Sequence, residues 1–113
     1  MKTATARRHD DAFDIATARA RCKKYRRRIL YMSQNVSALH IGGAFSCTEI
    51  VDCIYNELMR PGARGAKSPD TFLMSKGHGC MIQYVILEDL RILSKADFDA
   101  YCTPKGRLGT HPD

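Results

Sequence analysis

No stretch of the chain approaches the roughly 20 consecutive apolar residues that span a bilayer, so a membrane helix is excluded. The N-terminus, MKTATARRHDDAFD, has no apolar core behind its basic residues, so no secretory signal is expected and the cytoplasm is the expected compartment. An Arg-rich transit peptide fits less well, because Asp10, Asp11 and Asp14 interrupt the segment early. The cysteines, Cys22, Cys47, Cys53, Cys80 and Cys102, are odd in number and form no CxxC pair, which argues against a disulfide framework and a zinc ribbon. They read as reduced thiols, mostly packed as small apolar groups, with Cys47 and Cys53 near helix starts as mild candidates for reactive thiols. There is no GxxxxGK[ST] or GxGxxG string, no internal repeat and no low-complexity tract, so the usual nucleotide-binding loops are not supported. The carboxylates show no convincing pair for hydrolytic acid–base work, and no Ser-His-Asp arrangement follows from spacing.

What is present fits one domain at most: 113 residues, 44% hydrophobic and 27% charged. The net charge of +6 is unevenly spread. Residues 1 to 28 carry ten Lys+Arg against three Asp, or +7, and the remainder is at −1. From Asp11 to about Gln34 there is no Pro or Gly, which predicts one long helix. Ile15, Ala18, Cys22, Tyr25, Ile29 and Met32 recur on it at steps of three and four as a core-facing stripe, while Arg19, Lys23, Arg26 and Arg27 fall largely elsewhere. The basic run reads first as a solvated helix face, with binding of nucleic acid or an acidic partner less favoured.

A loop follows with paired glycines, Gly42 and Gly43, which can take positive φ or admit the close approach of a backbone or ligand. Ser46-Cys-Thr-Glu49 has the spacing of a capping box, and Ile50, Ile54 and Leu58, with Val51 and Tyr55 beside them, predict the apolar face of a helix running to Met59. Residues 61 to 70 are an exposed connection. Thr71-Phe-Leu-Met-Ser75, short and apolar between turn signals, suits a buried strand. Lys76-Gly-His-Gly79 stands directly after it, before a helix ending near Leu90. That order of strand, Gly-flanked histidine and helix start is where α/β sheets bind ligands. Ser94-Lys-Ala-Asp97 predicts another helix N-cap, with Phe98 and Tyr101 to bury.

Three of the four histidines, His40, His78 and His111, sit in loops beside Gly or Pro. A neutral imidazole donates from one nitrogen and accepts at the other, which suits hydroxyl or phosphate recognition and proton transfer. Singly, each reads as readily as an ordinary surface residue, and His9 has only that reading. Their spacings carry no metal-ligand signature. As an ordered set the motifs say more. His40-Ile-Gly-Gly43, then Phe72-Leu-Met-Ser-Lys-Gly-His-Gly79, then Gly109-Thr-His-Pro-Asp113 resembles the N-terminal region of transketolases, most closely the N-terminal subunit of the split, two-chain kind. Residues 49–55, Pro69-Asp70 and residues 98–101 match in style. Leu39 stands where that family usually has Gly, and Thr110 where Gly is common.

The resemblance implies an α/β fold: an incomplete thiamine-diphosphate-binding domain of the pyrophosphate type, mostly helices with few short strands. It covers 27–113, leaving 1–26 as a basic N-terminal segment and the start of the first helix. It implies transfer of a two-carbon ketol unit from a ketose phosphate to an aldose phosphate, with the carbon chemistry supplied by thiamine diphosphate. By position, His78, Gly77 and Gly79 are cofactor-binding, and His40 and His111 are catalytic residues lining the substrate channel. No metal ligand falls in this chain; Mg²⁺ or Ca²⁺ would be held through segments absent from it. The family's other parts imply a C-terminal subunit or further domains as partner, a homo-oligomer in the complete enzyme, and no activity of this chain alone. Ending just past a site motif favours truncation over completion by separate subunits. A related thiamine-diphosphate synthase of the deoxyxylulose-phosphate type, and a basic RNA-binding or acidic-partner module, are the alternatives.

Overall fold

The computed structural model describes residues 13–34, 40–62, 68–100 and 106. Every regular element among them is helical. The first, α1 (Ile15–Ser33), starts at Asp14, whose carboxylate accepts from the Ala16 N–H and the Thr17 hydroxyl. That N-cap satisfies donors which the first turn leaves without intrahelical partners. Five of the six expected stripe positions, Ala18, Cys22, Tyr25, Ile29 and Met32, are buried. Ile15 is exposed instead, because the first turn precedes the stretch that the other helices cover.

Two short helices follow in place of one loop and one long helix. Residues Ile41–Ser46 form α2 and Thr48–Cys53 form α3, which continues as a π-helical turn, Ile54–Leu58, closed by the Met59 N–H on the Ile54 carbonyl at 2.8 Å. The capping box expected at Ser46 is not formed. Ser46 ends α2 and its hydroxyl donates back to the Gly43 carbonyl at 3.0 Å, while Glu49 turns to Arg26 at 2.7 Å. The expected apolar face is buried only in part: Ile50 and Leu58 are exposed, while Val51 is buried together with Thr48, Asp52 and Asn56, and Tyr55 packs on the core. The reason is the surface that α3 meets. Arg21 on α1 forks onto Asp52 at 2.8 and 3.1 Å and reaches Glu57 at 3.2 Å, and Asn56 donates to Asp52 at 3.0 Å. A buried carboxylate needs such partners, so the polar side of α3 faces inward.

Thr71–Ser75 is not a strand. Burial does alternate along it as a strand's would, with Phe72 and Met74 packed on the core and Thr71, Leu73 and Ser75 exposed. A strand, however, is defined by hydrogen bonds to a neighbouring strand, and the described residues contain none for it to pair with. A single 3-10 turn, Gly77–Gly79, then leads into α4 (Cys80–Asp89). Six of the residues of α4 are buried, Cys80, Met81, Ile82, Tyr84, Val85 and Ile86, so the helix is apolar almost all round and forms the centre of the core. It packs against α1, α2 and α3. The last helix, α5 (Lys95–Asp99), has the expected capping box: the Asp97 N–H donates to the Ser94 hydroxyl at 3.0 Å and the Ser94 N–H to the Asp97 carboxylate at 3.3 Å. Phe98 is fully buried beneath the Arg28 guanidinium, 4.6 Å from its ring centre. Tyr101 and Cys102 lie outside the described residues. No described helix is long and apolar enough to cross a membrane.

Candidate functional site

Two histidines far apart in sequence, His40 just before a Gly-Gly pair and His78 between glycines, come together at one end of the core. His40 immediately precedes α2, and His78 is the middle residue of the 3-10 turn ahead of α4. Their rings meet edge to face, centroids 5.8 Å apart and planes inclined at 72°. Both side chains are exposed. The pair is thus within reach of a ligand while the rings hold each other's orientation.

Glycine makes that approach possible. A Cβ on Gly43 would stand 2.8 Å from His78 Cδ2 and 3.4 Å from Nε2, closer than carbon contacts allow. A Cβ on Gly42 would meet nothing within 4 Å. Of the pair, then, Gly43 has the steric requirement, and what comes close is the His78 side chain. Gly79 is buried, and its Cβ would lie 3.4 Å from Met74 Sδ and 3.6 Å from Cys47 Sγ, so the turn sits tightly between the 71–75 segment and the end of α2. Its N–H donates to the Lys76 carbonyl at 2.9 Å, closing the turn that begins at Gly77.

Lys76 completes the cluster. Its ammonium donates to the Gly43 carbonyl at 3.2 Å and to the Ser46 hydroxyl at 3.0 Å, and the Cys47 thiol donates to the same carbonyl at 3.3 Å. The Gly43 carbonyl therefore gathers Ser46, Cys47 and Lys76, and ties α2 to the His78 turn. An ammonium has three donors, and these contacts use two of them. Lys76 did not stand out in the sequence as a site residue, its only signal being its place at the head of the Lys-Gly-His-Gly string, and Cys47 stood out only mildly, as a thiol near a helix start. His111, with Gly109 and Thr110, lies outside the described residues, as do Leu39 and His9. The structure thus brings together His40, His78 and Gly79, with Gly77 opening the turn.

Behind the site, α1 is anchored by buried polar groups. The Tyr25 hydroxyl donates to Asp89 and accepts from Asn56, each at 3.4 Å. Burial, reinforced by the nearby carboxylates of Asp89 and Asp52, pushes its phenol well above the usual range. Burial likewise pushes the Cys22 thiol up to about 11. Such groups are inert at neutral pH, and they fix the helices that present the loops. Among the described residues, no group of three or more His, Cys, Asp or Glu side chains could hold a metal ion.

No family model and no solved structure matches the chain. Among curated proteins, it is 31% identical over 100 residues to one of the subunits of the apulose-4-phosphate transketolase of Phocaeicola vulgatus. The match takes in 87% of this chain and 36% of the relative, so the chain spans about a third of that protein's length. The similarity is to a transketolase subunit, the same kind of protein that the three ordered motifs resemble.

Proposed function

We propose that the chain is the N-terminal part of a transketolase-like enzyme, one that uses thiamine diphosphate to transfer a two-carbon ketol unit from a ketose phosphate to an aldose phosphate. What supports this reading is the meeting of His40 and His78 across α2 and the 3-10 turn, rings 5.8 Å apart, at two of the three motifs on which the resemblance rests. Incidental loop histidines have no reason to be adjacent. The likeness to a transketolase subunit supports the same reading.

The residues present suit the anionic end of such a cofactor. The Lys76 ammonium retains a donor, exposed imidazoles stand beside it, and the glycine-lined turn lets a ligand approach the backbone. His78, with Gly77 and Gly79, would contact the cofactor; His40 and His111 would face the sugar phosphates and move or hold protons at their hydroxyls. Once bound, thiamine diphosphate supplies a stabilised carbanion, chemistry that protein side chains lack. Mg²⁺ or Ca²⁺ would be held by segments beyond those described. On this reading a C-terminal subunit or further domains complete the site, the whole enzyme is a homo-oligomer, and the chain alone is inactive.

Isothermal calorimetry of the chain alone should show weak or no binding of thiamine diphosphate with Mg²⁺, and a completed enzyme should bind both. In that enzyme His78→Ala should chiefly weaken cofactor affinity. His40→Ala and His111→Ala should chiefly lower kcat or raise the ketose-phosphate KM, with His9→Ala as control. Parental kinetics and cofactor affinity in all three loop variants would overturn the assignment.

A further inference from the structure

Helix α1 contains seven Lys and Arg and no Asp or Glu. They divide by direction. Arg21, Lys24, Arg26 and Arg28 reach other elements, and each has a carboxylate: Asp52 and Glu57, Asp89, Glu49, and Glu88 with Asp99. Arg19, Lys23 and Arg27 are exposed and have no ion-pair partner among the described residues. Their spacing of four residues aligns them in one row opposite the buried stripe, with neighbouring charges about 6 Å apart along the axis. Like charges one turn apart oppose helix formation, so an opposing row of carboxylates would relieve a real cost.

The row continues into apolar surface. Leu30 and Tyr31, 47% and 56% exposed, follow on the same outer face, and the Arg28 guanidinium, 5.5 Å from the Tyr31 ring centre, holds that ring in place. Arginine and tyrosine are enriched at protein interfaces, and the exposed leucine adds apolar area beside them that a protein surface can cover. A nucleic-acid backbone would satisfy the cations and leave Leu30 with nothing to cover it. We infer that the outer face of α1 docks an acidic helix of a partner protein chain, its carboxylates on Arg19, Lys23 and Arg27 and its apolar side chains on Leu30 and Tyr31. The inference rests on the reading above only in taking the partner to be another part of a multi-subunit enzyme.

The probe is a fluorescein-labelled helical peptide of about 20 residues, long enough to hold a helix, with Glu at every fourth position and Leu on the same face. Fluorescence anisotropy is read against the chain, beside a U-rich RNA of equal formal charge. The peptide should bind more tightly than the RNA, with affinity falling as salt rises. R19E/K23E/R27E should weaken it roughly tenfold or more, and L30S/Y31S should weaken it several-fold with the salt dependence kept. All five residues are exposed, so both variants should retain the parental Tm, checked in parallel. No peptide binding, or binding indifferent to the charge reversal, overturns the inference. Tighter RNA binding overturns it in favour of a nucleic-acid surface. The assay contains no thiamine diphosphate, so its failure leaves the cofactor reading standing, and failure of cofactor binding leaves this result standing.

Discussion

Alanine at Gly43 and alanine at Gly42 should have opposite consequences, although the two residues are adjacent in the same short helix. Both changes gain helix propensity, about 1 kcal/mol for Ala over Gly in a helix interior. At Gly42 the new methyl meets nothing within 4 Å, so that gain should be realised almost whole. At Gly43 the methyl would stand 2.8 Å from His78 Cδ2. Carbon atoms settle at about 3.5 Å or beyond, so the contact must open by roughly 0.7 Å. If the His78 turn stays, overpacking costs about 1–3 kcal/mol, which leaves Gly43→Ala neutral to about 2 kcal/mol destabilised. If instead the exposed ring swings away, stability is spared and the contact with His40 is lost.

Two measurements together close that escape. Where the His78 turn stays, thermal melts should separate the two alanine variants by several degrees, since about 1 kcal/mol moves Tm by roughly 4–8 °C in a domain of this size. Proton–carbon NMR of the imidazoles should show cross-relaxation between the His40 and His78 rings in the parent and in Gly42→Ala. Gly43→Ala should lose either the stability or the cross-peak. Equal stabilisation of both variants with the ring contact intact would refute the claim that Gly43 is glycine because His78 lies against it.

Other perturbations test the scaffold behind the site. Asp52 is 1% exposed and bonded by Arg21 and Asn56, so Asp52→Ala should cost about 3 kcal/mol in urea melts by leaving the Arg21 guanidinium short of its main partner; a loss below about 1 kcal/mol would show that Glu57 alone suffices. Arg91 has φ of 64° at the end of α4, where the Ile92 N–H reaches the Leu87 carbonyl and the Arg91 N–H the Glu88 carbonyl, a Schellman ending. Arg91→Gly should therefore raise stability by about 1 kcal/mol, and a lower Tm would refute the strain. The Cys22 thiol, held up to about 11 by burial against an ordinary value of 9.0, has a folded value above its unfolded one. Its contribution is thus present below pH 9 and lost as pH rises through 11, in the same direction as that of Tyr25. Melts across that window should slope less in Cys22→Ala, and iodoacetamide at pH 8 should label Cys22 only on unfolding.

Local rules read parts of this chain well. The stripe on α1 and the capping box at Ser94 depend on residues three and four apart, and both are found where the spacing predicts them. Ser46 shows the limit. Its capping-box spacing is real, but a box needs its serine outside the helical conformation, and Ser46 is itself the last residue of Ile41–Ser46, so the hydroxyl turns back to Gly43. The Ile50, Ile54, Leu58 periodicity failed for a tertiary reason. Arg21 and Tyr25 on α1 offer hydrogen bonds to whatever covers them, and Asp52 and Asn56 answer that demand better than isoleucine can. The 71–75 segment, expected as a buried strand, alternates in burial with Leu73 exposed and does not become a strand, because apolar content belongs to one segment and pairing belongs to two.

The site was harder to read for the same reason. Nothing in the interval from His40 to His78 says that the rings touch; only the order of motifs pointed to it, through a resemblance. What joins them is a backbone carbonyl. Gly43 offers one oxygen to Ser46, Cys47 and Lys76, and a bare Cα to His78, so one residue without a side chain connects α2 to the turn that carries the second histidine. A hydrogen-bond acceptor on the main chain leaves no mark in sequence, since every residue type supplies one. The mark it does leave is the absence of Cβ, and the second glycine of His40-Ile-Gly-Gly43 gives that mark no meaning until the structure shows which of the pair is crowded. Lys76 acquires its place in the same way: a lysine ahead of a Gly-His-Gly turn reads as solvent-exposed charge, and it is the carbonyl 33 residues earlier that turns it into a brace for the histidine pair.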